Sequence, residues 1–375
     1  MRPHTQQLLD TIRKGGYRRR RVADLYYGRA RVADNVPLVD PKLVWKGSDK
    51  IQGSGSTRVV WQGRFGESIV PRWAGDTFAP FGPTLFVRDV IQAGGARWEI
   101  PLGWFPIVDV PNAQDQRMKH QGRSISIGSV LDLTLADRMS ELRDDPFDAP
   151  QAPGDLTSAV AETSRMTGFQ ITRSVPDAKI PRTVVYQDDR LDALYDLCRV
   201  VLDAVPYMTS DDTLSFRPNA WPQPVDELVF GGPKGTVQSI GNGMSTDGVK
   251  NYVVVRSQGS DGAVLYRSYL REGPLRPFEA PGVYAPARVR KLILSSQYVT
   301  TAPEAKSWGD RELLAASRIT AKDVPIVLPY NPLYEVGDVL QIWDTFEQEY
   351  RRYRLTEVPL EPTGAQMTVT AEVAK

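Results

Sequence analysis

Two histidines, His4 and His120, one cysteine, Cys198, and 45 acidic side chains are the groups with which this 375-residue chain could do chemistry. A zinc peptidase needs histidine ligands at fixed spacing, and Ser-His-Asp or Cys-His catalysis needs a positioned imidazole. His4 lies on the N-terminal arm and His120 in a Gln- and Lys-rich loop, so neither demand is met. Paired carboxylates can cleave glycosides with no histidine, but such a pair is a distance in a fold rather than a spacing in a sequence. Asp144, Asp145 and Asp148 crowd together without the ligand loop of a calcium site, and a polar linker is expected there. The GGPKGT run at 231–236 lacks the Gly-Lys-Ser/Thr order and the strand-loop-helix frame of a phosphate loop. The expectation is no catalytic, cofactor-binding or metal-binding residue, and no enzyme.

Binding is a separate question. Arg18, Arg19, Arg20 and Arg21 could meet phosphate, but they also suit the solvated edge of a strand, where charge discourages edge pairing; the edge is the preferred reading. Between 44 and 110, Trp45, Trp61, Phe65, Trp73, Phe78, Phe81, Phe86, Trp98, Trp104 and Phe105 could line a sugar-stacking groove. They equally suit the core of a β-domain. Because 46 Lys+Arg nearly cancel 45 Asp+Glu, no global field favours nucleic acid or an anionic membrane. No run approaches the roughly 20 apolar residues of a membrane span, nor is there a signal-peptide core, which predicts a soluble chain made in the cytoplasm. A single cysteine allows no internal disulfide, and Cys198 reads as a small buried hydrophobe.

The elements that would hold these residues are organised around 184–218, read as strand, helix and tight hairpin. Asp189 caps the helix, and Leu191, Leu194, Cys198 and Val201 give it one apolar face. The hairpin turns at Ser210, Asp211 and Asp212. Upstream, 5–14 predicts a short helix with Leu8, Leu9 and Ile12 on one side. Residues 122–136 alternate as a strand, from Ile125 and Ile127 to Leu131, Leu133 and Leu135, and a second helix is predicted over 155–167, stopped by Gly168. Downstream, the Pro- and Gly-rich 221–243 reads as loop, and 251–257 with 263–270 as a hairpin. Thr301 and Glu304 form a capping box for the longest remaining helix. Strands near 326–328, 339–343, 353–358 and 366–373 follow and suit a small closed barrel interrupted by that helix. With 29 Pro and 30 Gly, the fold class is α+β, predominantly β.

Several short stretches, in this order, are similar to the minor tail proteins of long, non-contractile-tailed bacteriophages of actinobacteria, which resemble phage baseplate-hub proteins. They are MRPHTQQLLDTIRKG at the start, RWAGDTFAPFGPTLFV at 72–87, WEIPLGWFPIV at 98–108, ADRMSEL at 136–142 and NPLYEVGDVLQI at 331–342. The arginine cluster at 18–21 departs from the family's pattern. What the resemblance implies is two β-barrel-like tube domains with an α+β insertion and a helical insertion. Their expected bounds are 1–149 for the arm and first tube domain, 150–218 for the α+β insertion, and 219–375 for the second tube domain, with its helical insertion near 302–319. The resemblance further implies a structural hub: a homotrimeric ring at the virion tail tip that adapts a sixfold tail to a threefold tip around the DNA exit channel. Its implied partners are the distal tail ring protein, the tape measure protein and other tail-tip or central fibre proteins, with DNA only in transit. A carbohydrate-binding or carbohydrate-degrading tail protein is the alternative, although no internal repeat of a β-solenoid is present.

Overall fold

Thr5 accepts a hydrogen bond from the Leu8 N–H and starts the first helix, α1 (Gln6–Lys14), which stops at Gly15 in a positive-φ conformation. Its one apolar side buries Leu8, Leu9 and Ile12, as the spacing predicts. In the computed structural model the residues described are 1–61, 68–241, 249–259, 262–278, 287–317, 324–361 and 364–374. Phe65 and the turn residues Pro362 and Thr363 therefore lie outside them.

Six antiparallel strands follow α1: β1 (Arg18–Tyr27), β2 (Ala30–Lys46), β3 (Gly53–Trp61), β4 (Pro83–Ala93), β5 (Ala96–His120) and β6 (Arg123–Ala136). They pair in the order β1-β4-β5-β6-β3-β2, and β2 pairs back onto β1. The arginine cluster lies on an edge stretch, as expected: among the described residues 18–21 pair with β4 alone, Arg21 opposite Asp89, and β2 joins β1 from Val22 onward. The solvated part of the reading fails at Arg21, which is buried. The length of β5 lets it serve two neighbours, β4 through Pro106 and β6 from Ile107 onward. In β6, Leu131, Leu133 and Leu135 point inward as expected, but Ile127 is exposed and Ser126 buried. The register explains it: Gln116 faces Gly128 and Arg117 faces Ser126, so Ile127 is an extra residue that flips the alternation.

A second unit grows from α2 (Met139–Arg143). Its next helix, α3 (Ala159–Thr167), starts later than predicted: Ser158 is the cap, while Asp155 closes a turn by accepting from the Thr157 N–H at 2.7 Å. A strand near 184 is replaced by a single bridge between Tyr186 and Gln151. Then β7 (Ile171–Thr172) and α4 (Arg190–Leu197) lead to the hairpin β8 (Ala204–Met208) and β9 (Leu214–Pro218), with β7 parallel to β9. Asp189 caps α4 by accepting from Asp192 N–H at 2.8 Å. After Leu197 the helix widens into a π turn over Cys198–Leu202. That extra residue rotates the buried face, so Leu197 and Leu202 complete it with Leu191, Leu194 and Cys198, and Val201 is only half-buried.

In the last third, the stretch that reads as loop contains β10 (Asp226–Phe230) and β11 (Ser239–Ile240). Their partners lie about a hundred residues away in sequence: β10 pairs with residues 340–344. Next come β12 (Tyr252–Gly259), β13 (Gly262–Tyr269), β14 (Lys291–Ser295) and α5 (Ala302–Ala316), whose capping box of Thr301 and Glu304 is present as predicted. β15 (Val324–Pro329), β16 (Val339–Asp344), β17 (Glu349–Leu360) and β18 (Gln366–Ala374) end the chain. These later strands pair β10-β16-β17-β18-β15-β11, and the N–H groups of Thr236 and Val237 donate to Val229 O, so the path ends beside its start. The helix does not interrupt this ladder: α5 lays Ala305, Trp308 and Leu313 on Val253, Val255 and Leu294 of a separate sheet, β13-β12-β14.

Residues 357–360 of β17 also pair with 43–46 of β2, which joins the two ladders. One core runs through both, from Leu25, Leu85, Phe105 and Leu133 to Leu340, Leu355 and Val369. Each such side chain contributes about 1.5–3 kcal/mol when fully buried. Two smaller clusters stand beside it, one among α2, α3, α4 and their hairpin, the other under α5.

Candidate functional site

Where the two ladders meet, Arg21 is buried with all five of its N–H donors engaged. Its Nε and one terminal nitrogen grip Asp89 at 2.7 and 3.0 Å, the other donates to Pro41 O at 2.9 Å and Leu360 O at 2.6 Å, and Tyr330 Oη lies 2.9 Å away. Tyr330 in turn donates to Asp89 at 2.6 Å. Burial, then the Asp89 carboxylate, drive the Tyr330 hydroxyl far above its ordinary range, so it stays a donor. The fourth arginine of the cluster is therefore a strut. Arg19 stacks over the Tyr330 ring at 3.5 Å, while Arg18 and Arg20 are exposed. Sequence reasoning missed Arg21, although it shares the alternation of Ala23 and Leu25.

A second polar junction brings three parts of the chain together around a cavity of about 20 Å³, enough for one water. Arg2 donates to Pro332 O at 2.8 Å and Tyr334 O at 2.7 Å and lies over Trp45. Arg217, from β9, reaches Gln52 at 3.3 Å and lies over Tyr207. Burial pulls its guanidinium below the ordinary value. Asp137 accepts from Gly53 N–H at 2.6 Å and Met139 N–H at 2.9 Å, yet burial outweighs these bonds and pushes its carboxyl up to about 6.

The third feature is open to solvent. A groove of about 720 Å³ is lined by Trp61, Arg72, Trp73, Asp76, Phe78 and Arg117 among others. Asp76 folds the turn that carries Trp73, accepting from Arg72 N–H at 2.5 Å and Trp73 N–H at 2.9 Å, and leaves the indole 79% exposed. Beside it, burial alone would raise the Asp115 carboxyl, but hydrogen bonds from Ser68, Arg117 and Ser129 outweigh this and hold it at about 2. Both Asp76 and Asp115 are held on the ionised side, whereas a glycosidase acid needs a raised carboxyl. The groove can stack a ring and accept hydrogen bonds, and neither Asp76 nor Asp115 is poised to supply a proton at neutral pH.

The remaining groups singled out from sequence stay apart. His4 Nδ1 lies 2.8 Å from Arg2 O on the N-terminal arm, and His120 ends β5. Cys198 is fully buried, and burial pushes its thiol far up. Asp144 pairs with Arg143 and Asp145 with Arg190. Among the described residues no three His, Cys, Asp or Glu side chains are placed to hold a metal ion, and no helix is long and apolar enough to cross a membrane.

No protein-family model matches the sequence, and no curated protein does. Solved structures do match in fold. The tail protein from Neisseria meningitidis MC58 superposes with a TM-score of 0.60 at 12% identity, over 94% of this chain and 96% of that one. The 43 kDa tail protein of prophage MuSo2 from Shewanella oneidensis gives 0.57 at 11% identity, over 94% and 98%. At such identities the shared property is the fold: this predominantly β chain has, along nearly its whole length, the architecture of those two tail proteins.

Proposed function

We propose that this chain is a structural, non-enzymatic tail protein of a bacteriophage, the hub of the tail tip. The observation that carries the reading is the pair of six-stranded ladders, each returning on itself or beside its start, joined by β2 and β17 over one core. Taken as barrel-like tube domains, they occupy 1–149 and 219–375, with 150–218 inserted between them. Three chains then supply six barrels, which lets a homotrimer meet a sixfold tail on one side and a threefold tip on the other. In this reading the neighbours are the distal tail ring protein, the tape measure protein and central fibre proteins, and DNA passes through the channel only in transit. The likeness in fold to two tail proteins supports it. Sedimentation mass and low-resolution images of the purified chain test it: a ring-shaped trimer is the expected result, and a compact monomer with hydrolytic activity on host wall polymer contradicts it.

The groove favours a second reading, a carbohydrate-binding tail protein, because a tryptophan exposed as far as Trp73 beside polar groups is what stacking on a sugar face uses. If it holds, Trp73→Ala abolishes retention on host cell-wall polysaccharide with an unchanged melting temperature. Equal retention of parent and variant removes this reading and leaves the hub.

A further inference from the structure

The sheet β13-β12-β14 covers α5 with one face and leaves the other open. Register places nine side chains on that open face in three rows: Leu265, Arg256 and Ser295; Arg267, Val254 and Ile293; Tyr269, Tyr252 and Lys291. Leu265 and Ile293 are each 55% exposed, Val254 between them is buried, and Tyr252, Tyr269 and Phe278 pack their rings together at one end. Arg256, Arg267 and Lys291 give this grid three cations and no carboxylate, and none of the three has an ion pair among the described residues. Asp261 and Glu279 lie outside those residues. An apolar face bearing cations is complementary to an apolar surface bearing carboxylates.

This chain carries such a surface elsewhere. The turn from β16 to β17 projects Phe346, 74% exposed, and Tyr350, 58% exposed, with Glu347 and Glu349 between them. Asp344 shapes the turn by accepting from the Phe346 N–H at 2.9 Å. Glu349 already pairs with Arg351, whereas Glu347 has no ion pair among the described residues. A cyclic trimer cannot use one self-complementary patch; every contact in it joins two different patches of neighbouring copies. We propose that the 344–350 turn of one copy docks on the outer face of β13-β12-β14 of the next, Phe346 and Tyr350 against Leu265 and Ile293, and Glu347 against Arg256 and Arg267. This rests on the ring reading above and names the contact that closes the ring.

Charge reversal tests it in the full chain. Arg256→Glu with Arg267→Glu is expected to weaken trimer formation by at least about tenfold in sedimentation, with the melting temperature unchanged because both arginines are exposed. Glu347→Arg is expected to weaken it likewise, and the three changes together to restore it. Should a reversal unfold the chain, Leu265→Cys combined with Phe346→Cys decides the matter, since Cys198 is buried and silent: disulfide-linked pairs and triples of chains are expected. Trimers that form regardless of reversal, with no cross-link, overturn this contact and leave the ring reading standing. A parent chain that stays monomeric at high concentration overturns both. Binding of a single-stranded oligonucleotide that is lost on the Arg256 and Arg267 reversals assigns the face to nucleic acid and overturns the docking.

Discussion

Arg20 and Arg21 are neighbours in sequence with opposite fates, and the difference is one of strand parity. Arg21→Met strands the Asp89 carboxylate and the carbonyls of Pro41 and Leu360 in the core, so a loss of about 3–5 kcal/mol is expected. Arg20→Ala, on the exposed side, should stay within about 0.5 kcal/mol; urea unfolding of both variants checks the pair. Asp137 adds a pH dependence whose sign follows from its raised value of about 6. The folded chain holds this proton more tightly than the unfolded one, so the contribution is fully present below about pH 4 and fades as pH rises through about 6. Between those limits the parent should lose about 3 kcal/mol relative to Asp137→Asn, which cannot ionise. A gap between the two that is independent of pH contradicts the assignment. The sequence shows neither residue's role: Arg21 looks like one of four surface charges, and Asp137 meets Gln52, Gly53 and Arg217, far away along the chain.

Local signals and long-range ones were not equally legible at the scale of elements. The caps of α4 and α5 read correctly because a cap is a contact within a few residues. The bulge of β6 at Ile127 and the π turn after Leu197 did not, because each adds a single residue to an otherwise regular period, and only the folded hydrogen bonding reveals where. β10 was invisible for a stronger reason: its ladder is with β16, and its own Pro- and Gly-rich surroundings look like loop. The buried face of α4 gives a direct test. Leu194→Asp should cost several kcal/mol by burying an unpaired carboxylate, while Val201→Asp, on the half-buried side of the π turn, should cost much less. Melting temperatures in the reverse order would show that the phase assigned to this helix is wrong.

At the scale of the whole molecule, the two ends of the chain share one core. Strands before residue 137 and after residue 225 pair through Trp45 and Val358, and Arg21 reaches Leu360 across the same seam. A predominantly β class and two strand-rich regions flanking a helical one were readable from period and turn residues; their joining was not, since no local pattern encodes a contact across three hundred residues. That seam fixes the two ladders side by side, which is the arrangement from which three chains can present six similar modules. The central claim is that they do so around a channel. The most direct measurement is a reconstruction of the tail tip that counts copies of this chain: three, arranged cyclically on the tail axis with six ladders facing the lumen, is the expected result, and six copies in the ring, or a single copy off the axis, contradicts the account.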